Sequence, residues 1–212
     1  IEEILSVAKS NNWGICRDNG FIYLYNGSYW SLIADSEMQW FLGCAAEKMS
    51  IDKFDAKFYS FKEQLFKQFL STSNLPKPKS SNGVVYINLI NGTFEIGLTS
   101  QKIREPRSED FLKHQLPFEF DKDATAPLFQ KFLDKVLPEK EKQLIIAEFF
   151  GYIFIKNSDV KLEKALILYG NGANGKSVIF EIIYSMLGRN ENVSNYSLSS
   201  LTDEKGYHRA NL

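Results

Sequence analysis

Cysteine is scarce in this sequence. Cys16 and Cys44 are the only two among 212 residues, and neither stands in a C-x-x-C or Cys/His spacing that could hold zinc. That argues against a disulfide-stapled secreted scaffold and against a zinc module, and leaves two reduced, small apolar side chains. Histidine is equally rare. His114 and His208 stand far apart, which gives neither a ligand set nor a catalytic pair. Net charge is nearly absent, −1 with a pI near 6.2, so any nucleic-acid surface has to be a local patch rather than general basicity. No apolar run approaches the roughly 20 residues of a membrane helix, and the opening Ile1-Glu2-Glu3 is acidic where a signal peptide would be basic.

What the chain does have is a 44% hydrophobic content, with 17 Phe and 10 Tyr, enough to build a packed core around large rings. Ile1, Ile4, Leu5 and Ala8 fall at helical spacing and predict a short amphipathic helix over 1–9. Two aromatic-rich runs, 21–25 and 28–33, flank Asn26-Gly27, the dipeptide that favours a type I′ hairpin turn because both central residues take positive φ. A second such hairpin is predicted for 84–90 and 93–96 around Asn91-Gly92. Between them, Ser36 offers an N-cap for a helix to about Met49. A second helix, from about Asp52 to Leu70, carries Phe54, Phe58, Phe61, Leu65 and Phe69 on one stripe, read as a core-facing seam.

Ser71 to Gly83 reads as a loop, with Pro76, Lys77, Pro78 and Lys79 at its centre. Irregular, charged sequence follows to about Thr125. Helices are then expected over Pro127 to Val136, with Leu128, Phe129, Phe132, Leu133 and Val136 facing inward, and over Glu139 to about Lys156, with Leu144, Ile145, Phe149, Tyr152 and Ile153 inward. Beyond Asn157-Ser158-Asp159 the texture changes to a buried strand, Ala165 to Tyr169, a glycine loop, and a helix from about Gly175 to Leu187 closed by Gly188. The expected organisation is therefore an α+β domain over 1–160, followed by the start of an α/β P-loop NTPase domain over 161–212.

The glycine loop carries the chemistry. Gly170-Asn171-Gly172-Ala173-Asn174-Gly175-Lys176-Ser177 matches G-x-x-x-x-G-K-[ST] at every fixed position. A loop can surround a triphosphate with backbone N–H donors only where no Cβ blocks the approach, and Gly170, Gly172 and Gly175 meet that need. The following helix aims its free N–H groups and positive dipole end at the same phosphates. Lys176 is expected to bridge the β and γ groups of ATP, and Ser177 to hold Mg²⁺ through its hydroxyl. A random chain of this length shows the octet about once in a hundred, and chance would not also place it between an apolar run and an apolar-periodic helix.

Hydrolysis needs more, namely an acidic residue at the end of a second apolar strand and an arginine at the γ-phosphate. Asp203-Glu204 follows a polar stretch and reads as a solvated loop, and Arg209 has no context that marks it as a finger. The sequence starts without Met and ends at Asn211-Leu212 without a helix stop. It is thus expected to be a piece of a longer protein whose acidic strand lies roughly 10–20 residues past Leu212, leaving this piece inactive alone.

The octet, taken with the sequence before it, resembles the G-x-G-x-N-G-K-S loop of superfamily 3 helicases of the phage and plasmid primase and poxvirus primase-helicase family. Tyr25-Asn26-Gly27-Ser28-Tyr29-Trp30 is similar to a Y-x-G-x-x-W hairpin near the start of that family's helicase-associated domain. Asn91-Gly92-Thr93-Phe94-Glu95-Ile96 is similar to its N-G turn, and Glu148-Phe149-Phe150-Gly151-Tyr152 to its E-x-x-G-Y helix. Leu198 to Thr202 and Ala210-Asn211-Leu212 resemble the lead into its Walker B strand. The resemblance implies an ATP- and Mg²⁺-dependent DNA helicase, a 3′-to-5′ motor working as a homo-hexameric ring in replication of a phage, plasmid or virus. It implies a cytoplasmic location in a bacterial host or infected cell, and no membrane.

Two other readings stay open. A small-molecule kinase would share the loop, although such enzymes usually carry it near the N-terminus. The first domain could also be a non-catalytic DNA-docking or oligomerisation module. The candidate DNA contacts are Lys53, Lys57, Lys62 and Lys67, with Lys77 and Lys79, though scattered lysines among acidic neighbours do not make a basic stripe.

Overall fold

The computed structural model describes residues 1–11, 13–73, 83–155, 163–197 and 199. Among these, six short strands form two separate antiparallel meanders. The first sheet is β1 (Ile15–Asp18), β2 (Phe21–Tyr25) and β3 (Trp30–Ile33), and the second is β4 (Val85–Leu89), β5 (Gly92–Ile96) and β6 (Gln101–Arg104). The helices are α1 (Glu2–Ser10), α2 (Asp35–Lys48), α3 (Lys53–Lys57), α4 (Tyr59–Thr72), α5 (Pro127–Val136), α6 (Lys140–Tyr152) and α7 (Lys176–Met186). The fold is α+β.

The type I′ turn occurs in the first sheet, but not where the sequence predicts it. Asp18 pairs with Phe21 across Asn19 and Gly20, whose φ values of +50° and +90° are both positive, as that turn requires. Strand β1 itself escaped the sequence reading, because Arg17 and Asp18 break its apolar pattern. At Asn26-Gly27 the connection is four residues long and only Gly27 has positive φ. There the Asn26 side chain does the turning: its Oδ1 accepts from the N–H groups of Ser28 and Tyr29, both at 2.9 Å. In the second sheet the central turn residues are Ile90 and Asn91, and the positive φ falls on Gly92, at +140°.

Strand alternation divides the first sheet's side chains between two cores. Ile15, Ile22 and Ile33 face the helices, where they pack with Met38, Leu42, Phe66 and Phe69 and with the apolar face of α1. Fully burying side chains of this size stabilises by about 1.5–3 kcal/mol each. Cys16, Tyr23, Tyr25 and Trp30 face the opposite way, onto Phe111. Burial pushes the Cys16 thiol up to about 11, with Asp18 adding to the shift, so this cysteine is an inert packing group.

The helices depart from expectation in four places. The N-cap of α2 is Ala34 rather than Ser36, and Glu37 accepts the Ala34 N–H at 3.1 Å. The long helix expected from Asp52 is two helices, broken at Phe58, where ψ turns to 133°. Asp52 does cap the first, accepting from Phe54 N–H at 2.8 Å. The break splits the expected seam: Phe66 and Phe69 are buried, whereas Phe54 is 84% exposed and Phe58 is also exposed. On α5, Leu128 faces solvent, and the inward face of α6 is rotated by about one residue, so that Ile146 and Phe150 pack inside while Leu144 and Ile145 do not. The apolar run 144–146 leaves that register open on periodicity alone.

Residues 74–82 of the expected loop, with Lys77 and Lys79, lie outside the described residues. So do Asn157-Ser158-Asp159, Leu198, Asp203-Glu204, His208, Arg209 and Ala210 to Leu212. The strand expected at Ala165 to Tyr169 is not formed: among the described residues it joins no sheet, and Ile167 and Tyr169 are 82% and 90% exposed. A strand needs a ladder, and neither meander lends one. One hydrophobic cluster, Leu133, Ile146 and Ile179 with Phe129, Phe132, Phe150, Leu168 and Ile183 around it, spans both sides of residue 160.

No ladder joins the two sheets. They are tied by the segment between Arg104 and Phe120. On the first sheet, the Trp30 N–H donates to Leu112 O and the Trp30 indole Nε1 to Ser108 O, both at 2.8 Å. On the second, Leu116 N–H donates to Asn88 O at 2.9 Å, Gln115 Nε2 to Leu89 O at 3.1 Å, and Ile90 N–H to Phe118 O at 3.1 Å. Asn91 and Phe120 exchange two hydrogen bonds, at 2.9 and 3.0 Å. Arg104 anchors the start of the segment: its Nη atoms grip the buried Asp110 carboxylate at 2.7 and 2.8 Å, its Nε donates to Glu95 at 2.7 Å, and its guanidinium lies 5.1 Å from the Tyr86 ring centre.

Arg104→Met is expected to cost about 3 kcal/mol in chemical denaturation, because it leaves the Asp110 carboxylate buried and unpaired. Gly92→Val should cost roughly 2–4 kcal/mol, since a Cβ there would lie 2.6 Å from Arg104 O in addition to the strain of positive φ. Gly27→Val meets nothing within 4 Å and should cost only about 1–2 kcal/mol. Thermal melts of the two glycine variants test that ordering.

Candidate nucleotide-phosphate site

Left-handed residues shape the loop from Gly170 to Ser177. Gly172 (φ +87°), Ala173 (φ +47°) and Gly175 (φ +85°) lie in the left-handed region, so the backbone bends sharply along the loop. Gly175 is also the N-cap of α7, and no side chain caps that helix end. The tip, Asn171 to Ala173, is exposed, while Asn174, Gly175 and Lys176 are half-buried.

Lys176 turns its ammonium back into the loop. Nζ donates to Gly170 O at 2.9 Å and to Asn174 Oδ1 at 2.7 Å. The positive charge is thus held inside the loop by two neutral oxygens, neither of which neutralises it. A Cβ on Gly170 would sit 1.7 Å from Asn174 Nδ2, so a side chain there would push the Asn174 amide away from its present place. Ser177, the second residue of α7, is exposed and flanks a depression that also reaches Glu181 and Arg189. Of the octet, Gly170 and Asn174 are thus brought to the Lys176 ammonium, and the role of Asn174 is one that motif reading did not supply.

Sequence reading also missed the floor of the loop. A Cβ on Gly175 would lie 2.8 Å from Phe132 Cζ and 3.1 Å from Val136 Cγ1. Helix α5 therefore touches the backbone at the point where the loop becomes helix. Only the requirement for glycine at 175 hinted at a close neighbour.

Among the described residues, the lysines considered for DNA, Lys53, Lys57, Lys62 and Lys67, do not form a stripe. Lys57 and Lys67 reach Glu47 and Glu63 at 3.9 and 2.8 Å, the Lys62 stem lies over Gly43, and Lys53 is exposed on α3. Among the described residues, no group of three or more His, Cys, Asp or Glu could hold a metal ion, and no helix is long and apolar enough to cross a membrane.

Two antiparallel meanders tied by one segment, with a helical layer on the first and a helix pair leading toward a glycine loop, make up an α+β fold. The chain belongs to the D5 N terminal like family, whose sequence model matches residues 3–138, well over half of its length. That domain is the N-terminal region of primase-helicase proteins, which sets the chain in a DNA-replication context. The glycine loop lies outside the matched residues. Among curated proteins, none matches the chain.

Gly175→Ala should destabilise the α5–α6–α7 cluster by roughly 2–3 kcal/mol, from left-handed strain together with collision against Phe132. Gly172→Ala has open space at its Cβ and should cost about 1 kcal/mol. Circular-dichroism melts of the pair would show the difference, and equal losses would refute the contact with Phe132.

Proposed function

We propose that the chain binds ATP with Mg²⁺ at Gly170, Asn171, Gly172, Ala173, Asn174, Gly175, Lys176 and Ser177. In this reading it is part of a primase-helicase of superfamily 3 that unwinds DNA during replication of a phage, plasmid or other mobile element. The observation that carries the reading is the Lys176 ammonium, held inside a loop of left-handed residues by two uncharged oxygens. A phosphate oxygen is a stronger partner for that ammonium than either neutral acceptor. The uncapped first turn of α7 adds backbone donors and the positive end of the helix dipole.

Each residue then has a physical task. Gly172 and Gly175 supply turns that bring N–H groups toward one centre, and Gly170 leaves room for Asn174. Asn174 Oδ1 keeps the Lys176 side chain folded into the loop. Lys176 would contact the β and γ phosphates, and the Ser177 hydroxyl would hold Mg²⁺, which offsets phosphate charge when bound. The family of the first 138 residues supports a replication motor over a small-molecule kinase. DNA as partner, a homo-hexameric ring and a cytoplasmic location belong to the same proposal.

Lys176→Ala is expected to weaken MgATP binding by about tenfold or more while changing the melting temperature little, because the two hydrogen bonds it loses both lie within the loop itself. Titration calorimetry on parent and variant measures it. Equal dissociation constants would overturn the assignment.

A further inference from the structure

Resting on that reading of the loop, we propose that Phe132, on α5, is a positioning residue of the nucleotide site, and that nucleotide occupancy and the docking of α5 are coupled. The argument begins at Gly175. This residue ends the loop and opens α7, with φ +85° and ψ 0°. Its Cα hydrogen is the only thing separating the backbone from α5: a Cβ would stand 2.8 Å from Phe132 Cζ, 3.1 Å from Phe132 Cε2 and 3.1 Å from Val136 Cγ1. A left-handed glycine is conformationally soft and readily leaves its well unless something limits it. Here the ring edge and a valine methyl limit it from one side.

The ring is itself held. Phe132 stacks on Phe129 at 6.3 Å between centroids, with planes 20° apart, and it packs against the cluster of Leu133, Ile146 and Ile179. Ile179 lies one helical turn along α7 from Gly175 and donates its N–H to Gly175 O at 3.1 Å. Phe132 and α7 therefore share one core, and a displaced ring frees both the turn at Gly175 and the first turn of α7. Those are the elements that aim N–H groups at a phosphate. Phe132 touches no phosphate itself. It acts through Gly175.

Phe132 also lies within residues 3–138, the part matched by the family, whereas the loop does not. The N-terminal domain thus supplies the floor of a site whose binding residues come after it. Coupling is reciprocal by linkage. If docked α5 favours nucleotide, bound nucleotide must favour docked α5.

The test uses the whole 212-residue chain with MgADP and MgATP in titration calorimetry, alongside thermal melts. Phe132→Ala should weaken nucleotide binding by roughly tenfold, a size in keeping with the cost of slightly misplaced contacts. Phe132→Leu, which keeps most of the packing, should restore much of that affinity. Leu42→Ala, in the separate core under the first sheet, should lower the melting temperature while leaving the dissociation constant within about twofold. If Phe132 acted only through overall stability, Leu42→Ala and Phe132→Ala would weaken binding alike, and that result overturns the proposal, as does parent-like affinity in Phe132→Ala. Hydrogen exchange on the unmutated chain gives an arm that needs no variant to fold: MgADP should slow exchange at residues 127–136, and unchanged rates there overturn the coupling. A parent chain that binds no nucleotide, or a Lys176→Ala variant that binds as well as the parent, overturns the P-loop reading and this inference with it. Normal binding that is insensitive to Phe132 overturns this inference alone.

Discussion

Two small sheets that share no ladder cannot hold each other in place, and the hydrogen bonds lent by the segment from Arg104 to Phe120 supply what the ladders do not. Each sheet offers that segment backbone groups left over at its edge or its turn: Trp30 N–H in the first, Asn88 O, Leu89 O and Ile90 N–H in the second. Those groups sit at or near buried positions, where leaving them unpaired is costly. The Arg104–Asp110 pair fixes the segment's start, so the later bonds fall in register. Trp30 adds bulk and direction, because its ring fills the core under Phe111 while its indole N–H reaches Ser108. Asn88 adds a bridge, donating from one amide to both Ser28 O and His114 O at 3.2 Å.

How much of this was legible in the sequence depended on whether the deciding contact was local. Helices α1, α5 and α7 were readable because periodicity, Pro127 and Gly188 are all local signals. The existence of two hairpins was readable from aromatic runs around Asn-Gly. Their turn types were not, since Asn26 could either take positive φ or turn the chain with its side chain, and the choice depends on how Tyr25 pairs with Trp30. The break at Phe58 was hidden for a related reason: an unbroken Phe stripe looks the same whether or not its first half leaves the core. The tying segment was the least legible part. It consists of charged and polar residues without period, and its partners lie far away in sequence.

The candidate site divides along the same line. The octet from Gly170 to Ser177 announces itself, because phosphate contact demands glycines and a lysine at fixed spacing. Asn174's hold on Lys176 and the floor formed by Phe132 and Val136 do not, because apolar residues on an amphipathic helix give no sign of which backbone they touch. The strand expected before the loop shows the limit of pattern. Ala165 to Tyr169 has the composition of a buried strand, yet a strand is defined by its neighbours, and here the described residues provide none. Leu168 nonetheless packs with α5, α6 and α7, so the segment is fixed by one face of its side chains rather than by its backbone.

The distance in sequence between Trp30 and its acceptor at Ser108, 78 residues, bears on how the chain is made. A hairpin from β2 and β3 can close as soon as it clears the ribosome, but Trp30 then waits for its lid. At synthesis rates of about 5–20 residues per second the wait lasts roughly 4–16 s. Throughout that interval the nascent first sheet shows Cys16, Tyr23 and Trp30 on an open face, a surface suited to chaperone capture or to premature pairing with another nascent chain. The segment that holds the folded sheets together is thus also a timer, and the first sheet is committed to its fold only once Ser108 and Phe111 have been translated.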